Sequence, residues 1–313
     1  MPIETSSNLK SALARVETML GDLTSSEVPV LTETSSHIVR SGGKRLRPRV
    51  LLLSFEACGG ADVSMAIPVA TGVELIHTAS LVHDDINDHS DLRRGTETIN
   101  ARWGNTLALL TGDFIFIKVL NLVAGLNPDV IRILARACIA LVEGETLQTA
   151  SEGERNTTEE DYLEVVERKT ASLFSACSEL GSLMAGGTPE QHTALRGYGY
   201  NLGVAFQIRD DVLDLIGNSD RLGKPIARDL DQQKMSLATL YAFGTADEAR
   251  EALAGKERTS VIETLERAGG IEYAMQRSRE YSERAKQQLS ILPSSSAREE
   301  LVTLADTAVK REA

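Results

Sequence analysis

The segment VATGVELIHTASLVH, residues 69–83, is too apolar for a surface helix, yet it runs directly into the acidic sequence DDIND. Counting back from Asp88 by four, four and three residues gives Asp84, Ser80 and His77, which lie on one face of an α-helix. The pattern predicts a buried helix with one polar stripe, as in the wall of a cavity. A solvated acidic helix face is the alternative for any single run of this kind.

A second acidic sequence, DDVLD, repeats the spacing at residues 210–214. Here the stripe consists of Gly203, Gln207, Asp210 and Asp214, in steps of four, three and four. Carboxylates one turn apart repel each other, and aspartate is a poor residue for a helix interior. Two such runs indicate a compensating cation, and oxygen ligands suit Mg²⁺, which completes its shell with water and substrate phosphate. The sequence therefore predicts a binuclear or trinuclear Mg²⁺ site that holds a phosphorylated substrate between two facing helices.

Long uninterrupted helices are possible over much of this 313-residue chain, because only Pro68 and Pro128 lie between Arg49 and Thr188. No alternating strand pattern and no hairpin dipeptide between β-branched runs is found. We therefore predict an all-α chain, with residues 1–313 forming a single domain.

Composition restricts the partners and the compartment. A net charge of −12 and a pI near 5.0 argue against nucleic acid as a partner. Cys58, Cys138 and Cys177 are odd in number and lack metal-ligand spacing, which indicates reduced thiols. The N-terminus has no apolar signal core, and no uncharged stretch reaches about 18 apolar residues. We expect a cytoplasmic protein without a membrane span, to which any hydrophobic substrate must come.

A basic loop, SGGKRLRP at residues 41–48, precedes a predicted helix. It carries Lys44, Arg45 and Arg47, and it is not a nucleotide P-loop because Lys44 is followed by arginine. A glycine turn at a helix start can bind an anion through backbone N–H groups and side chains together. A basic surface loop is the alternative.

Further cations follow each acidic run. They are Arg93 and Arg94 in DLRRG, Lys169 beside Thr170 in a predicted helix over residues 159–184, and Lys224 and Lys234 after the second run. Adjacent arginines point in different directions and can serve two anions through forked hydrogen bonds. Two acidic clusters and two basic sets predict two phosphate-bearing substrates. One is bound through metal, and the other through arginine, lysine and His77 alone.

The motifs GGKRLRP, HTASLVHDDINDHSDLRRG and FQIRDDVLDL, in this order, resemble those of the trans-isoprenyl diphosphate synthases, also called polyprenyl synthetases. The resemblance extends from about Gly42 to Lys234. It implies an all-α, isoprenoid-synthase-type bundle of long helices around a deep central cavity, usually in a homodimer. It also implies a transferase reaction that joins an allylic diphosphate to isopentenyl diphosphate, head to tail, and releases pyrophosphate.

The resemblance also implies a role for each candidate residue. Asp84, Asp88 and Asp210 resemble direct ligands of three Mg²⁺ ions, with Asp85 and Asp214 supporting the metals or their waters. Arg93, Lys169, Lys224 and Lys234 resemble the clamp on the allylic diphosphate, and Lys44, Arg47, His77 and Arg94 resemble the metal-free isopentenyl diphosphate site. Thr170 and Gln207 would face the developing allylic cation.

The sequence departs from the family pattern after the second acidic run, where a lid is expected. Ala227 and Gln233 stand where the family has glycines, Ser236 where it has threonine, and Ala238 where it has proline. Lys224 and Lys234 are retained, so the charges of this segment are kept.

Product length is predicted from the small side chains that precede Asp84. Ala79 and Ser80 lie roughly 6–7.5 Å along the helix axis from it, and neither would block a growing chain. We predict products of C20 or longer, with C25–C50 favoured and a C20 geranylgeranyl product as the alternative. The end of the tunnel is expected near Ile76, or at Phe116, Ile117 or Leu120 on a helix over residues 106–124. Such a product could pass to membrane enzymes.

Two other functions use parts of this pattern. A terpene cyclase would not need Lys44, Arg47 and Arg94, and its second metal motif mixes Asn, Ser and Glu. A non-catalytic partner subunit should lack aspartates from one run, whereas both runs are complete here.

Overall fold

The computed structural model describes residues 7–151, 157–216, 236–245 and 258–310, and these are almost entirely helical. In chain order the α-helices are α1 (Ser7–Leu23), α2 (Pro29–Arg40), α3 (Leu46–Ala57), α4 (Ile67–Asn87), α5 (Ile99–Trp103), α6 (Asn105–Val123), α7 (Pro128–Ser151), α8 (Glu159–Val166), α9 (Ser172–Met184), α10 (Pro189–Ile216), α11 (Leu237–Thr245), α12 (Arg258–Arg267), α13 (Gly270–Gln288) and α14 (Ser296–Lys310). Short 3₁₀ turns occur at Val63–Met65 and Leu289–Ile291, and a π-helical turn at Glu167–Ala171. The prediction of an all-α fold is confirmed.

One small exception to the all-α prediction is a hairpin of β1 (Leu92–Arg93) and β2 (Thr96–Glu97), which pair antiparallel. Its two central residues, Arg94 and Gly95, have φ of 53° and 76°. Positive φ at both positions is the signature of the type I′ turn, whose twist matches that of the flanking strands. The strands are too short for any alternating pattern to indicate them.

The chain forms two compact units. Unit 1 comprises Met1–Cys138, Ala176–Arg196 and Ser290–Leu301, and unit 2 comprises Ile139–Ser175, Gly197–Leu289 and Val302–Ala313. A single domain over residues 1–313 stays a prediction.

In unit 1, α4 packs against α1, α3 and α6 and is buried nearly all round. Between Val69 and Ser80 the two residues that are not buried are His77 and Ser80. Asp84 and Asp88 are also partly exposed. The polar stripe that the spacing predicts is therefore the face of α4 that is not covered by neighbouring helices.

In unit 2, α8, α10, α11, α12 and α13 share an apolar core that includes Tyr162, Val204, Ile208 and Leu237. The segment that departs from the family pattern enters this core. Ser236 caps the start of α11, because its hydroxyl accepts the Thr239 N–H at 3.3 Å while the Thr239 hydroxyl accepts the Ser236 N–H at 2.8 Å. Ser236 and Ala238 are thus accommodated, whereas Ala227 and Gln233 lie outside the described residues.

Two helical segments, Val63–Asn87 and Asn105–Val123, are long and apolar enough by length and composition to cross a membrane. Of the most apolar window, 72% is buried inside the protein in the first and 33% in the second. Core helices pass the same test, so the two segments are weak evidence for a membrane span. Both segments contain charged residues, including Glu74 in the first and Asp113 and Lys118 in the second, so neither is an uncharged apolar stretch of about 18 residues.

Candidate active site

The first acidic run forms the last turn of α4. The Asp88 backbone N–H donates to the Asp84 carbonyl at 2.8 Å, so the two carboxylates lie one turn apart on the same face. The C-terminal end of a helix carries partial negative charge, which adds to the repulsion between the two carboxylates. The donor set, two partly exposed carboxylates, suits a hard cation such as Mg²⁺.

Asp85, the middle aspartate, is 2% exposed and binds Arg93. The Arg93 Nε donates to both Asp85 oxygens at 2.9 Å, and Nη2 lies 2.8 Å from Oδ1. Burial disfavours the Arg93 charge, but the hydrogen bonds and charge of Asp85 outweigh it and raise the pKa of the guanidinium. Asp85 therefore fixes Arg93 beside the acidic run, and its predicted role in supporting the metals stays a prediction.

Arg94 points the other way, as the adjacent pair predicts. Its Nη1 donates to the Gly42 carbonyl in the basic loop at residues 41–48, which we call the glycine loop. The guanidinium also covers Gly43, where a Cβ atom would lie 2.7 Å from Nη1. Only glycine can fill position 43 without displacing the guanidinium, so the loop and the hairpin form one basic surface.

His77 lies within this basic surface, which we call the basic cluster: His77, Arg47, Arg93 and Arg94. The buried Arg45 lies close enough to act on His77 through its charge. Burial first, and then the charges of Arg47, Arg94, Arg93 and Arg45, hold the pKa of His77 well below its usual 6.5. The imidazole is therefore neutral and can donate one N–H to an anion. Lys44 is exposed and Arg47 partly buried, as expected for groups that meet a soluble anion.

The neutral state of the partly buried His77 has a consequence for stability. The unfolded chain takes up a proton on this residue below about pH 6.5, whereas the folded protein does so only at a lower pH because its His77 pKa is lowered. We expect the free energy of unfolding to be unaffected by this group above pH 6.5 and to fall below it, by less than about 1.4 kcal/mol per pH unit because His77 is partly exposed. Urea unfolding at pH 7.5 and 5.5 should show a smaller pH-dependent loss for His77→Gln than for the wild type. Equal losses of the free energy of unfolding in both proteins would contradict a neutral His77 in the folded state.

Arg45 belongs to the same basic loop as Lys44 and Arg47, but it is buried and binds two carboxylates. Glu17 on α1 and Glu74 on α4 accept from its guanidinium at 2.5 Å and 3.0 Å. Glu74 lies one turn before His77, and its apolar surroundings gave no signal of a site residue. It is 3% exposed and supplies negative charge beneath the basic cluster.

In unit 2, Lys169 and Thr170 lie in the π-helical turn. The predicted helix over residues 159–184 is confirmed in extent, but the wider turn was not predicted. Lys169 Nζ pairs with Glu145 and donates to Gln148 Oε1 at 2.9 Å. Such turns often occur at functional sites, because the extra residue re-aims neighbouring side chains.

Two glycines allow other helices to approach the π-helical turn closely. A Cβ atom at Gly144 on α7 would lie 2.5 Å from the Lys169 backbone nitrogen, and one at Gly203 on α10 would lie 2.6 Å from the Ala171 Cα. Gly203 belongs to the predicted stripe on α10, where it serves helix packing. The close approach fixes the backbone that carries Lys169 and Thr170.

A hydrogen-bonded chain orients Gln207. Thr170 Oγ1 donates to Gln207 Oε1 at 2.8 Å, and Gln207 Nε2 donates to Asp211 Oδ1 at 2.7 Å. Tyr162 donates to the other Asp211 oxygen at 2.6 Å. The structure thus brings together the predicted pair Thr170 and Gln207. Asp211 and Tyr162 were missed, although Asp211 belongs to the second acidic run.

The two remaining aspartates of that run lie one turn apart on α10. Asp210 is partly exposed, whereas Asp214 is 1% exposed. Lys224 and Lys234 lie outside the described residues. Across the part of the chain that the structure describes, no three His, Cys, Asp or Glu side chains converge as a ready metal site. Each carboxylate set would therefore need further ligands, such as water and substrate phosphate.

These features have close counterparts among known proteins. The sequence profile of the polyprenyl synthetase family matches residues 28–268. The chain is 37% identical to a short chain isoprenyl diphosphate synthase of Methanothermobacter thermautotrophicus, covering 95% of this chain and 94% of the relative. It is 40% identical to an octaprenyl diphosphate synthase of Haemophilus influenzae, covering 91% of this chain and 90% of the relative.

A solved structure gives the same result. A polyprenyl synthase of Caulobacter crescentus, crystallised with calcium and isoprenyl diphosphate, superposes with a TM-score of 0.93 at 34% identity, covering 98% of this chain and 96% of the other. The all-α helical bundle and the acidic and basic motifs define a prenyltransferase. The chain belongs to the polyprenyl synthetase family, whose members include prenyl diphosphate synthases of several product lengths.

Proposed function

We propose that this protein is a Mg²⁺-dependent synthase that condenses an allylic diphosphate with isopentenyl diphosphate. The condensation is head to tail, forms trans double bonds and gives a polyprenyl diphosphate of C20 or longer. The observation that carries the proposal is the basic cluster beside the first acidic run. It offers a diphosphate site built from cations and neutral His77, next to carboxylates that suit a metal. Two diphosphate sites of different chemistry are what a condensation of two diphosphates requires.

Each substrate is assigned to one set of residues. Isopentenyl diphosphate binds Lys44, Arg47, His77 and Arg94. The allylic diphosphate binds Arg93, Lys169, Lys224 and Lys234, together with Mg²⁺. Asp84, Asp88 and Asp210 would hold three Mg²⁺ ions, with Asp85 and Asp214 in support, and these ions would supply charge neutralisation of the departing diphosphate. The assignment of both acidic runs to one diphosphate rests on their identical spacing and on family membership.

The chain's own residues carry the remaining tasks. Arg93, oriented by Asp85, stabilises negative charge on the leaving diphosphate. Thr170 and Gln207 present oxygen dipoles to the allylic cation. The hydrogen bonds of Gln207 with Thr170 and Asp211 keep its amide in one orientation. Apolar surroundings exclude water that would otherwise capture the cation. The released pyrophosphate accepts the final proton.

The decisive test is incubation with labelled isopentenyl diphosphate, Mg²⁺ and allylic primers of five, ten and fifteen carbons, followed by chromatography of the hydrolysed alcohols. Incorporation that stops with a chelator and returns with Mg²⁺ supports the proposal. Incorporation that persists in the chelator would overturn it.

Product length is assigned from Ala79 and Ser80. Ala79 is buried, Ser80 is partly exposed on the polar stripe, and Ile76 is buried one turn earlier. Ile117 and Leu120 are 58% and 49% exposed on α6, so in this chain they do not line an enclosed tunnel. Ile76 and the partly buried Phe116 therefore remain the candidates for its end.

Enlarging position 79 should shorten the product. In the series Ala79→Val, Ala79→Leu and Ala79→Phe, we expect the longest alcohol to lose one or more five-carbon units as the side chain grows. Because Ala79 is buried, the largest variant also costs roughly 1–3 kcal/mol from overpacking. Ala135→Phe, on an exposed part of α7, is the control. Unchanged product length in a folded Ala79→Phe enzyme would exclude the open tunnel at this position.

Homodimer formation is assigned to α6. Leu109, Leu110, Ile117 and Leu120 are about half exposed or more and fall on one face of this helix. Exposed apolar faces of this kind mark association sites. We expect wild-type protein to sediment as a dimer and Ile117→Glu to sediment as a monomer at micromolar concentration. A monomeric wild type would contradict this.

A further inference from the structure

Arg45 in the glycine loop uses its whole guanidinium for hydrogen bonds within the protein, although it does not face the anion site. A guanidinium has five N–H donors, and here each has an acceptor. Nε and Nη2 donate to the two Glu17 oxygens at 2.5 and 3.1 Å, and Nη1 donates to Glu74 Oε1 at 3.0 Å. The remaining two donors reach the carbonyls of Val39 at 3.1 Å and Gly42 at 3.3 Å.

The backbone of Arg45 indicates that this side chain is required at its position. Arg45 precedes α3 with φ 46° and ψ 42°, in the left-handed region that is unfavourable for residues with a Cβ atom. Glycine would adopt this conformation without strain. Burial of the charge and backbone strain both oppose arginine here, so its five hydrogen bonds must outweigh them.

The Gly42 carbonyl connects Arg45 to the substrate site. It accepts one N–H from Arg45 and another from Arg94. A displaced Gly42 would therefore displace the Arg94 guanidinium, which lies against the neighbouring Gly43. Glu74 acts on both arginines, since it pairs with Arg45 and its charge favours the charged form of Arg94.

We propose that Arg45 is a positioning residue for isopentenyl diphosphate: clamped by Glu17 and Glu74, it fixes the Gly42 carbonyl on which Arg94 is held. The inference rests on the proposed function, which assigns Arg94 to that substrate. A positioning role of Arg45 differs from a purely structural role in one respect. Loosening Arg45 should weaken one substrate and leave the other unaffected.

The experiment compares Arg45→Gln and Arg45→Lys with wild type in kcat, in KM for each substrate and in melting temperature. We expect KM for isopentenyl diphosphate to rise about tenfold in Arg45→Gln, corresponding to the loss of one charge-assisted contact, and less in Arg45→Lys. KM for the allylic substrate should stay within about twofold. The double variant with Arg45→Gln and Arg94→Gln should raise KM for isopentenyl diphosphate no more than Arg94→Gln alone, because Arg45 acts through Arg94.

Arg49→Gln is the matched control. Arg49 lies one turn further on, on α3, and is partly buried beside Glu300 at 3.4 Å. We expect it to lower the melting temperature without changing the ratio of the two KM values. If the Arg45 variants fail to fold, Glu17→Gln decides, because Glu17 is half-exposed and its loss leaves the pair with Glu74. It should raise KM for isopentenyl diphosphate about threefold, since it loosens the same guanidinium without leaving a buried charge unpaired.

Equal changes in both KM values, or additive effects with Arg94→Gln, would overturn the positioning role. A wild-type enzyme that incorporates no isopentenyl diphosphate would instead overturn the proposed function. The two failures are therefore distinguishable in one set of assays.

Discussion

Asp84→Asn is expected to lower kcat by about three orders of magnitude while leaving the protein folded. The substitution keeps the size of the side chain and removes one of the two partly exposed carboxylates on the last turn of α4. Because that turn carries like charges at the negative end of a helix, the variant should be more stable than wild type by a few tenths of a kcal/mol when a chelator is present. Loss of activity together with a gain in stability distinguishes a cation site from a structural carboxylate.

The matched control is Asp129→Asn, which makes the same chemical change in the first turn of α7. There the carboxylate meets the positive end of the helix and pairs with Arg132. This variant should retain full kcat and lose a few tenths of a kcal/mol of stability, the opposite sign. Steady-state rates and urea unfolding with and without Mg²⁺ test both. An Asp84→Asn enzyme with near-normal kcat would remove the metal from the proposed mechanism.

The polar stripe of α4 could be predicted because it depends on helical periodicity alone. An apolar helix with polar residues at steps of three and four has one face that its neighbours cannot cover, and His77 and Ser80 lie on that face. The divergence of Arg93 and Arg94 was likewise predictable, since adjacent side chains rarely point the same way. Local geometry was sufficient in both cases.

The direction of Arg45 could not be predicted, because it depends on a backbone conformation that sequence periodicity does not encode. In GGKRLRP three cations have similar chemistry, yet a left-handed residue turns one of them inward to Glu17 and Glu74. These carboxylates lie 28 and 29 residues away in the sequence. A partner so distant in the chain leaves no local pattern.

The π-helical turn was missed for a related reason. One extra residue in a turn changes the directions of the side chains that follow it, but it leaves the composition of the segment unchanged. The same limitation applies to Asp211, which the DDVLD spacing places off the predicted stripe. Its partners Gln207 and Tyr162 come from α10 itself and from α8, and the second is recognisable only in the folded unit.

Gly144→Ala should reduce stability and activity together. Alanine in place of glycine ordinarily stabilises a helix interior by up to about 1 kcal/mol. Here the added Cβ would lie 2.5 Å from the Lys169 nitrogen and 3.0 Å from the Arg168 carbonyl carbon, both backbone atoms that cannot rotate away. We expect a loss of about 1–3 kcal/mol and, because the turn that carries Lys169 and Thr170 must move, roughly a tenfold lower kcat.

Gly21→Ala is the control, for which we expect a gain in stability. Gly21 lies near the end of α1, and a Cβ atom there meets nothing within 4 Å. That variant should gain up to about 1 kcal/mol and keep its kcat. Gly203→Ala, which approaches the same π-helical turn at Ala171, should reproduce the Gly144→Ala losses. If Gly144→Ala were as stable and active as wild type, the π-helical turn would not be held by close helix contact, and the orientation of Lys169 and Thr170 would need another cause.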